Sequence, residues 1–255
     1  MRRLVNFFIR RFMEYFEQLH SGIRLLQPDG CFRMSTDSVL VSHFMTLRPG
    51  MRIADLGSGS GNIAFLLAGR RDDCTVTGFE LQQAPYEAAL RNIQSNDLSH
   101  RITMRQADLR QIRKAAPPCS FDAAVSNPPY FPAGSGKASA SELLNIARSE
   151  QCCDLQQLCA AAAWLVRTGG SFALVHKPER LCDLMCSLRS VGLEPKRLQF
   201  VRHHEGAEVS LVLLESRRGG KPGLKMEPDL ILFQPDGTPT AQYLEIYHMH
   251  PATAE

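Results

Sequence analysis

The chain has 255 residues, 44% of them hydrophobic and 22% charged, a composition that suits an ordinary globular protein with a sizeable core. Its formal net charge of +3 is too small to identify a nucleic-acid binder, so any such reading must rest on local clusters. No apolar run approaches the roughly 20 residues of a membrane span, and the eight cysteines are scattered with no C-x-x-C, the pattern of reduced thiols in a cytosolic protein.

The N-terminal MRRLVNFFIRRF predicts a basic amphipathic helix, in which Arg2, Arg3, Arg10 and Arg11 form a solvated face. From Met51 the chain alternates short β-rich runs with helical patterns. The strands are MRIADL, TVTGFE, RITMRQ and FDAAVS, with helices over Asn62 to Gly69 and Pro85 to Asn96. A helix over Leu155 to Val166, the turn TGG, the strand SFALVH and a helix over Glu179 to Val191 follow. RLQFV and EVSLVLLE, separated by HHEGA, read as a terminal hairpin. The expectation is an α/β fold with a seven-stranded, mostly parallel sheet, an antiparallel last strand and helices on both faces. Residues 1–45 are expected to form an N-terminal helical extension and a segment beside the site. The core spans 46–216, and 217–255 hold a basic loop and a C-terminal extension.

Chemistry gathers at the ends of the strands. ADLGSGSGN joins a strand to a helix, and Gly57, Gly59 and Gly61 permit a tight turn and close approach of a ligand to the backbone. A dinucleotide fingerprint would want glycine where Asn62 stands, which counts against NAD. Glu80 ends the next strand, where a carboxylate can accept from both hydroxyls of a ribose, and Asp108 follows the third, where it can accept from an adenine amino group. SNPPYF, residues 126–131, ends the fourth with an amide, two prolines and an aromatic ring.

In this order and spacing the segments resemble class I S-adenosylmethionine-dependent methyltransferases. The resemblance implies that Asp55 with Gly57, Ser58, Gly59, Gly61 and Asn62 holds the methionine part of the cofactor, that Glu80 holds the ribose and Asp108 the adenine, and that Asp37 and Asn127 lie near the cofactor. It further implies that Asn127, Pro128, Pro129 and Tyr130 carry methylation of a planar, conjugated nitrogen. The Asn127 side-chain carbonyl and the Pro128 backbone carbonyl would each accept an N–H, while Tyr130 and Phe131 offer stacking surfaces.

Asn-Pro-Pro-Tyr serves adenine in RNA, adenine in DNA and glutamine in protein. GIRLLQPDGCFRMSTDSVLVSHF at 22–44, ARSE at 147–150, VHKPERL at 175–181 and ESRRGGKPGLKMEPDLIL at 215–232 are similar to the bacterial group that methylates adenine N6 in valine tRNA, at the adenosine 3′ of the anticodon. In that group a histidine is usual where Ser149 stands and a phenylalanine-glycine pair around Met34-Ser35. Thr36-Asp37 matches, with capping of a helix starting at Ser38 as its alternative role. The basic loop from Ser216 to Pro228 brings Arg217, Arg218, Lys221 and Lys225 together around flexible glycines, a candidate phosphate contact. FPAGSGKASAS at 131–141 is expected to be a mobile lid.

The partner expected is therefore tRNA, with no membrane and no metal, since the His203-His204 and His248-x-His250 spacings do not make a convincing ligand set. A cytoplasmic monomer or weak homodimer is expected. The alternatives are a release-factor glutamine methyltransferase, whose family carries a longer helical N-terminal domain, and a non-catalytic RNA-binding module.

Overall fold

The computed structural model describes residues 15–19, 21–27, 34–129 and 153–247. Eleven strands can be followed through them: β1 (Tyr15–Gln18), β2 (Arg24–Gln27), β3 (Arg52–Leu56), β4 (Thr75–Glu80), β5 (Ile102–Gln106), β6 (Phe121–Ser126), β7 (Val166–His176), β8 (Leu193–Arg202), β9 (Val209–Arg218), β10 (Lys225–Met226) and β11 (Leu230–Ile231). The α-helices are α1 (Thr36–Phe44), α2 (Asn62–Arg70), α3 (Gln83–Ser95), α4 (Ile112–Ala115), α5 (Leu155–Leu165), α6 (Leu181–Ser190) and α7 (Ala241–Ile246).

Nine strands share one sheet in the order β10-β8-β9-β7-β6-β3-β4-β5, with β11 also on β8. The seven expected strands are all present. The two extra ones are two-residue additions, parallel to β8, made within the basic segment and just after it. Among the seven, only β9 runs against the rest, pairing antiparallel with both β7 and β8.

Strand periodicity divides the core. Ile53, Val76, Met104, Ala123 and Val125 face α1, α2 and α3, whereas Ala54, Leu56, Phe79 and Ala124 face α5 and α6. Local chemistry sets the helix ends. Asp154 accepts the Gln157 N–H at 2.7 Å while the Gln157 side chain accepts the Asp154 N–H at 3.0 Å, a reciprocal cap that starts α5.

Three features differ from what the sequence suggested. Residues 15–18 and 24–27, to which no element was assigned, form an antiparallel hairpin. Asn92 of α3 and Asn96, the residue that caps its end, bond the Leu26 and Arg24 backbone groups as a neighbouring strand would, at 2.7–3.0 Å. The TGG turn lies inside β7 as a bulge. Gly169 takes φ +78, and a Cβ on Gly170 would meet the Asp122 carbonyl at 2.4 Å, so the strand continues only because both positions are glycine. Finally, Arg217 and Arg218 end β9 instead of opening a loop, which begins at Gly219. The N-terminal arginines and the 131–141 segment lie outside the described residues.

Candidate active site

Asp55, Glu80, Asp108 and Asn127 all sit at or just beyond the carboxyl ends of parallel strands, and each keeps the parity of the residues that face α1 to α3. They therefore open on one side of the sheet. The connections diverge between β3 and β6, which makes this the switch point where open α/β sheets bind ligands.

Asp55 is fully buried between Gly78 of β4 and Val125 of β6, and neither carboxylate oxygen has a hydrogen-bond partner among the described residues. Burial raises its pKa to about 7; the Ala64 backbone N–H offsets part of that effect without closing a full hydrogen bond, and the Glu80 charge adds to it. An unpartnered buried carboxylate is costly unless a ligand satisfies it.

The turn after β3 provides room for one. Gly57, Gly59 and Gly61 take φ +69, +56 and +87, and a Cβ at Gly57 or Gly59 would meet nothing within 4 Å. The turn is held from β4: the Phe79 carbonyl accepts the Gly57 and Ser58 N–H groups at 2.9 and 3.1 Å, and Glu80 Oε2 accepts the Gly59 N–H at 2.8 Å. Glu80 Oε1 accepts the Gln82 N–H at 2.7 Å. Burial raises the Glu80 pKa, against the lowering by these N–H donors. Each oxygen retains capacity for a further donor. Ser58 within the turn and Asn62 at the start of α2 are buried, and Ser60 Oγ lies 3.4 Å from Asn62 Oδ1.

Asp108 is differently placed. It caps the short 3-10 turn at Leu109–Gln111 and binds the Arg110 guanidinium at 2.6 Å, which keeps its pKa below the usual carboxylate value. A cofactor adenine would have to share that carboxylate with Arg110.

Asn127 follows β6, whose last residue Ser126 donates to the Leu56 carbonyl at 2.8 Å and locks β6 to β3. Its Nδ2 donates to the Ser38 hydroxyl at 3.0 Å and the Ser35 hydroxyl at 3.3 Å. Ser35, not Thr36 or Asp37, is the N-cap of α1, and Asp37 lies in the first turn. These two serines are the part of the site that sequence reasoning missed; hydroxyls at a predicted helix start were the available signal. Pro128 is half-buried and Pro129 exposed, while Tyr130 and Phe131 lie outside the described residues.

The basic residues are not brought to this edge. Because β9 runs antiparallel, Arg217 pairs with Ser171 near the start of the parallel part of β7, while Val212 sits opposite its end at His176. Arg217 donates to the Gly169 carbonyl at 3.1 Å, and Arg218 donates to the Val166 carbonyl. Lys221 is exposed beyond them, and Lys225 pairs with Glu227 at 2.9 Å on β10, midway back along β8.

The sheet order with its single reversed strand defines the class I methyltransferase fold, and the strand-end cleft holds an unpartnered acid, a held glycine turn and a second acid. The chain belongs to the methyltransferase small domain family, whose model matches residues 34–185. It is 30% identical over 234 residues to the tRNA1(Val) (adenine(37)-N6)-methyltransferase of Aeromonas hydrophila, covering 91% of this chain and 93% of that one. The protein of the same name from Actinobacillus pleuropneumoniae is 33% identical, covering 86% and 89%. Among solved structures, one described as a predicted O-methyltransferase from Agrobacterium tumefaciens superposes with a TM-score of 0.69 at 20% identity, covering 86% of this chain and 99% of that one. Geranyl diphosphate C-methyltransferase from Streptomyces coelicolor, determined with S-adenosyl-L-homocysteine, gives 0.52 at 13% identity, covering 70% and 76%. At these identities the structural likeness concerns the fold.

Proposed function

We infer that this chain is an S-adenosylmethionine-dependent tRNA methyltransferase acting on the N6 amino group of an adenosine, the one 3′ of the anticodon in valine tRNA. The observation that carries the reading is Asn127, held by hydroxyls at the end of β6 on the same face as the unpartnered Asp55 and the glycine turn. Relatives bearing that activity in their names match along 91% of the chain, which leaves the release-factor alternative without comparable support.

The residues fit the cofactor. Asp55 and the turn from Gly57 to Asn62 would hold its methionine part and Glu80 its ribose, with Asp37 and Asp108 as flanking contacts. When bound, the cofactor supplies an electrophilic methyl on a sulfonium whose departure leaves a neutral thioether.

An adenine amino nitrogen is a poor nucleophile because its lone pair is delocalised into the ring. The Asn127 Oδ1 and the Pro128 carbonyl each accept one of its N–H groups, which aims the lone pair and favours the pyramidal nitrogen of the transition state. Pro128 and Pro129 fix φ so that the carbonyl cannot swing away. The methylated nitrogen becomes acidic and loses its proton without a strong base. Tyr130 and Phe131 stack on the flipped base, which costs less to extrude from an anticodon loop than from a duplex.

Lys221 and Lys225 are proposed to contact phosphates away from the target base, with Arg217 and Arg218 bracing the start of that loop. A cytoplasmic monomer or weak homodimer is the working expectation.

The test is methyl transfer from labelled S-adenosylmethionine to unmodified valine tRNA, duplex DNA and a release factor in parallel, with nucleoside mass spectrometry. N6-methyladenosine in the tRNA alone is expected. Label in the release factor would overturn the substrate assignment and keep the cofactor assignment.

A further inference from the structure

We propose that Ser38 is a positioning residue for the reaction: with Ser35 it fixes the Asn127 amide so that Oδ1, and not Nδ2, meets the substrate amine. The inference rests on the functional reading above and concerns a residue outside the strand-end motifs.

A terminal amide turns about a soft torsion, and its two ends differ only in whether they donate or accept. A donor amine needs the accepting end. Here Nδ2 has two hydroxyl acceptors, Ser38 Oγ at 3.0 Å and Ser35 Oγ at 3.3 Å, contributed by residues 89 and 92 positions away. The hydroxyls are themselves ordered. Ser35 Oγ accepts the Ser38 N–H at 3.3 Å as the cap of α1, and the two oxygens lie 3.3 Å apart. Ser38 is 5% exposed, so water does not compete for it.

The helix that carries them is anchored at its far end. Glu215 of β9, buried in the sheet, accepts the Thr46 N–H at 3.1 Å and the Thr46 hydroxyl at 2.8 Å. Arg197 binds Glu215 at 2.7 Å and lies 4.5 Å over the Phe44 ring. Arg70 donates to the Ser42 and Met45 carbonyls. A helix so clamped presents its N-terminal hydroxyls at a fixed place, the support a reacting amide requires. Ser38 does not cap the helix, so its hydroxyl can be removed without removing the cap.

The experiment compares wild type, Ser38→Ala and Ser38→Thr for kcat and KM on valine tRNA, for S-adenosylhomocysteine affinity by calorimetry, and for Tm. Expected is a fall of about 10- to 100-fold in kcat for Ser38→Ala, with KM, affinity and Tm near wild type and activity recovered in Ser38→Thr. Ser38→Cys, nearly isosteric but a poor acceptor, provides the same comparison should the alanine variant not fold. A wild-type kcat in Ser38→Ala overturns the inference. So does a loss shared by kcat, Tm and cofactor affinity, which is what a purely structural serine predicts. A wild-type protein that labels no tRNA overturns the functional reading and this inference together.

Discussion

Glu80 holds Gly59: the carboxylate that ends β4 accepts the backbone N–H of the turn after β3 at 2.8 Å. The acid is thus part of the wall of the site as well as a candidate ribose acceptor. Glu80→Ala removes the acceptor of both Gly59 and Gln82 N–H groups and should weaken S-adenosylhomocysteine binding by about 30-fold or more, within the roughly 1–3 kcal/mol that loss of a charged hydrogen bond explains. Calorimetric titration measures it; a change under threefold would place the cofactor elsewhere.

Two glycines of the same turn should fail in different ways. A Cβ on Gly59 meets open space, so Gly59→Ala pays only about 1–2 kcal/mol of left-handed strain while its methyl enters the cofactor's space. A Cβ on Gly61 lies 2.9 Å from the ring of the fully buried Phe65. Gly61→Ala should therefore lose about 2–4 kcal/mol of stability, seen as a lower denaturant midpoint, while Gly59→Ala keeps most of its stability and loses affinity.

Asp55 makes both stability and affinity depend on pH, with opposite signs. Its folded pKa of about 7 exceeds the usual 3.8, so the folded protein keeps a proton that the unfolded chain gives up between those values. Stability of the free protein should fall as pH rises across that window and level off above it. A cationic ammonium on the cofactor needs the carboxylate, so affinity should rise about tenfold from pH 6 to pH 8. Asp55→Asn should flatten both curves and weaken binding; a pH-dependent affinity surviving in that variant would assign the titration to another group.

Asn127→Ala should lower methyl transfer by about 1,000-fold or more while S-adenosylhomocysteine affinity changes less than about threefold. Single-turnover kinetics beside calorimetry separates the two. An unchanged rate would remove the proposed amine acceptor.

Lys221→Ala combined with Lys225→Ala should raise the KM for tRNA about three- to tenfold at 0.1 M salt with kcat unchanged, and make its salt dependence shallower by about one to two charges. An unchanged KM at low salt would mean that RNA does not follow this edge of the sheet.

Much of this was legible beforehand. TVTGFE and FDAAVS are strands with the expected bounds, since β-branched and apolar runs between turn residues have few other solutions. The glycines of ADLGSGSGN take left-handed conformations, as a tight strand-to-helix turn requires. The hairpin at 15–27 was missed because β2 takes part of its pairing from Asn92 of a distant helix and Asn96 at its cap, a partnership with no local signal. The place of the basic loop was not legible for a different reason. Once β9 is antiparallel, its C-terminal arginines must lie at the edge away from Asp55 and Asn127, yet a cluster of charges in sequence says nothing about edges until strand direction is applied.

The sequence by itself determined the succession of strands and helices, the parity that puts Asp55, Glu80 and Asn127 on one face, and the glycine turn, because all three depend on periodicity and on backbone limits within a few residues. Only the tertiary structure decided that Ser38 meets Asn127 and that Arg217 and Arg218 brace the opposite edge. Those contacts depend on where whole elements pack, and hydrogen bonds accurate to a few tenths of an ångström follow from that packing and not from spacing along the chain.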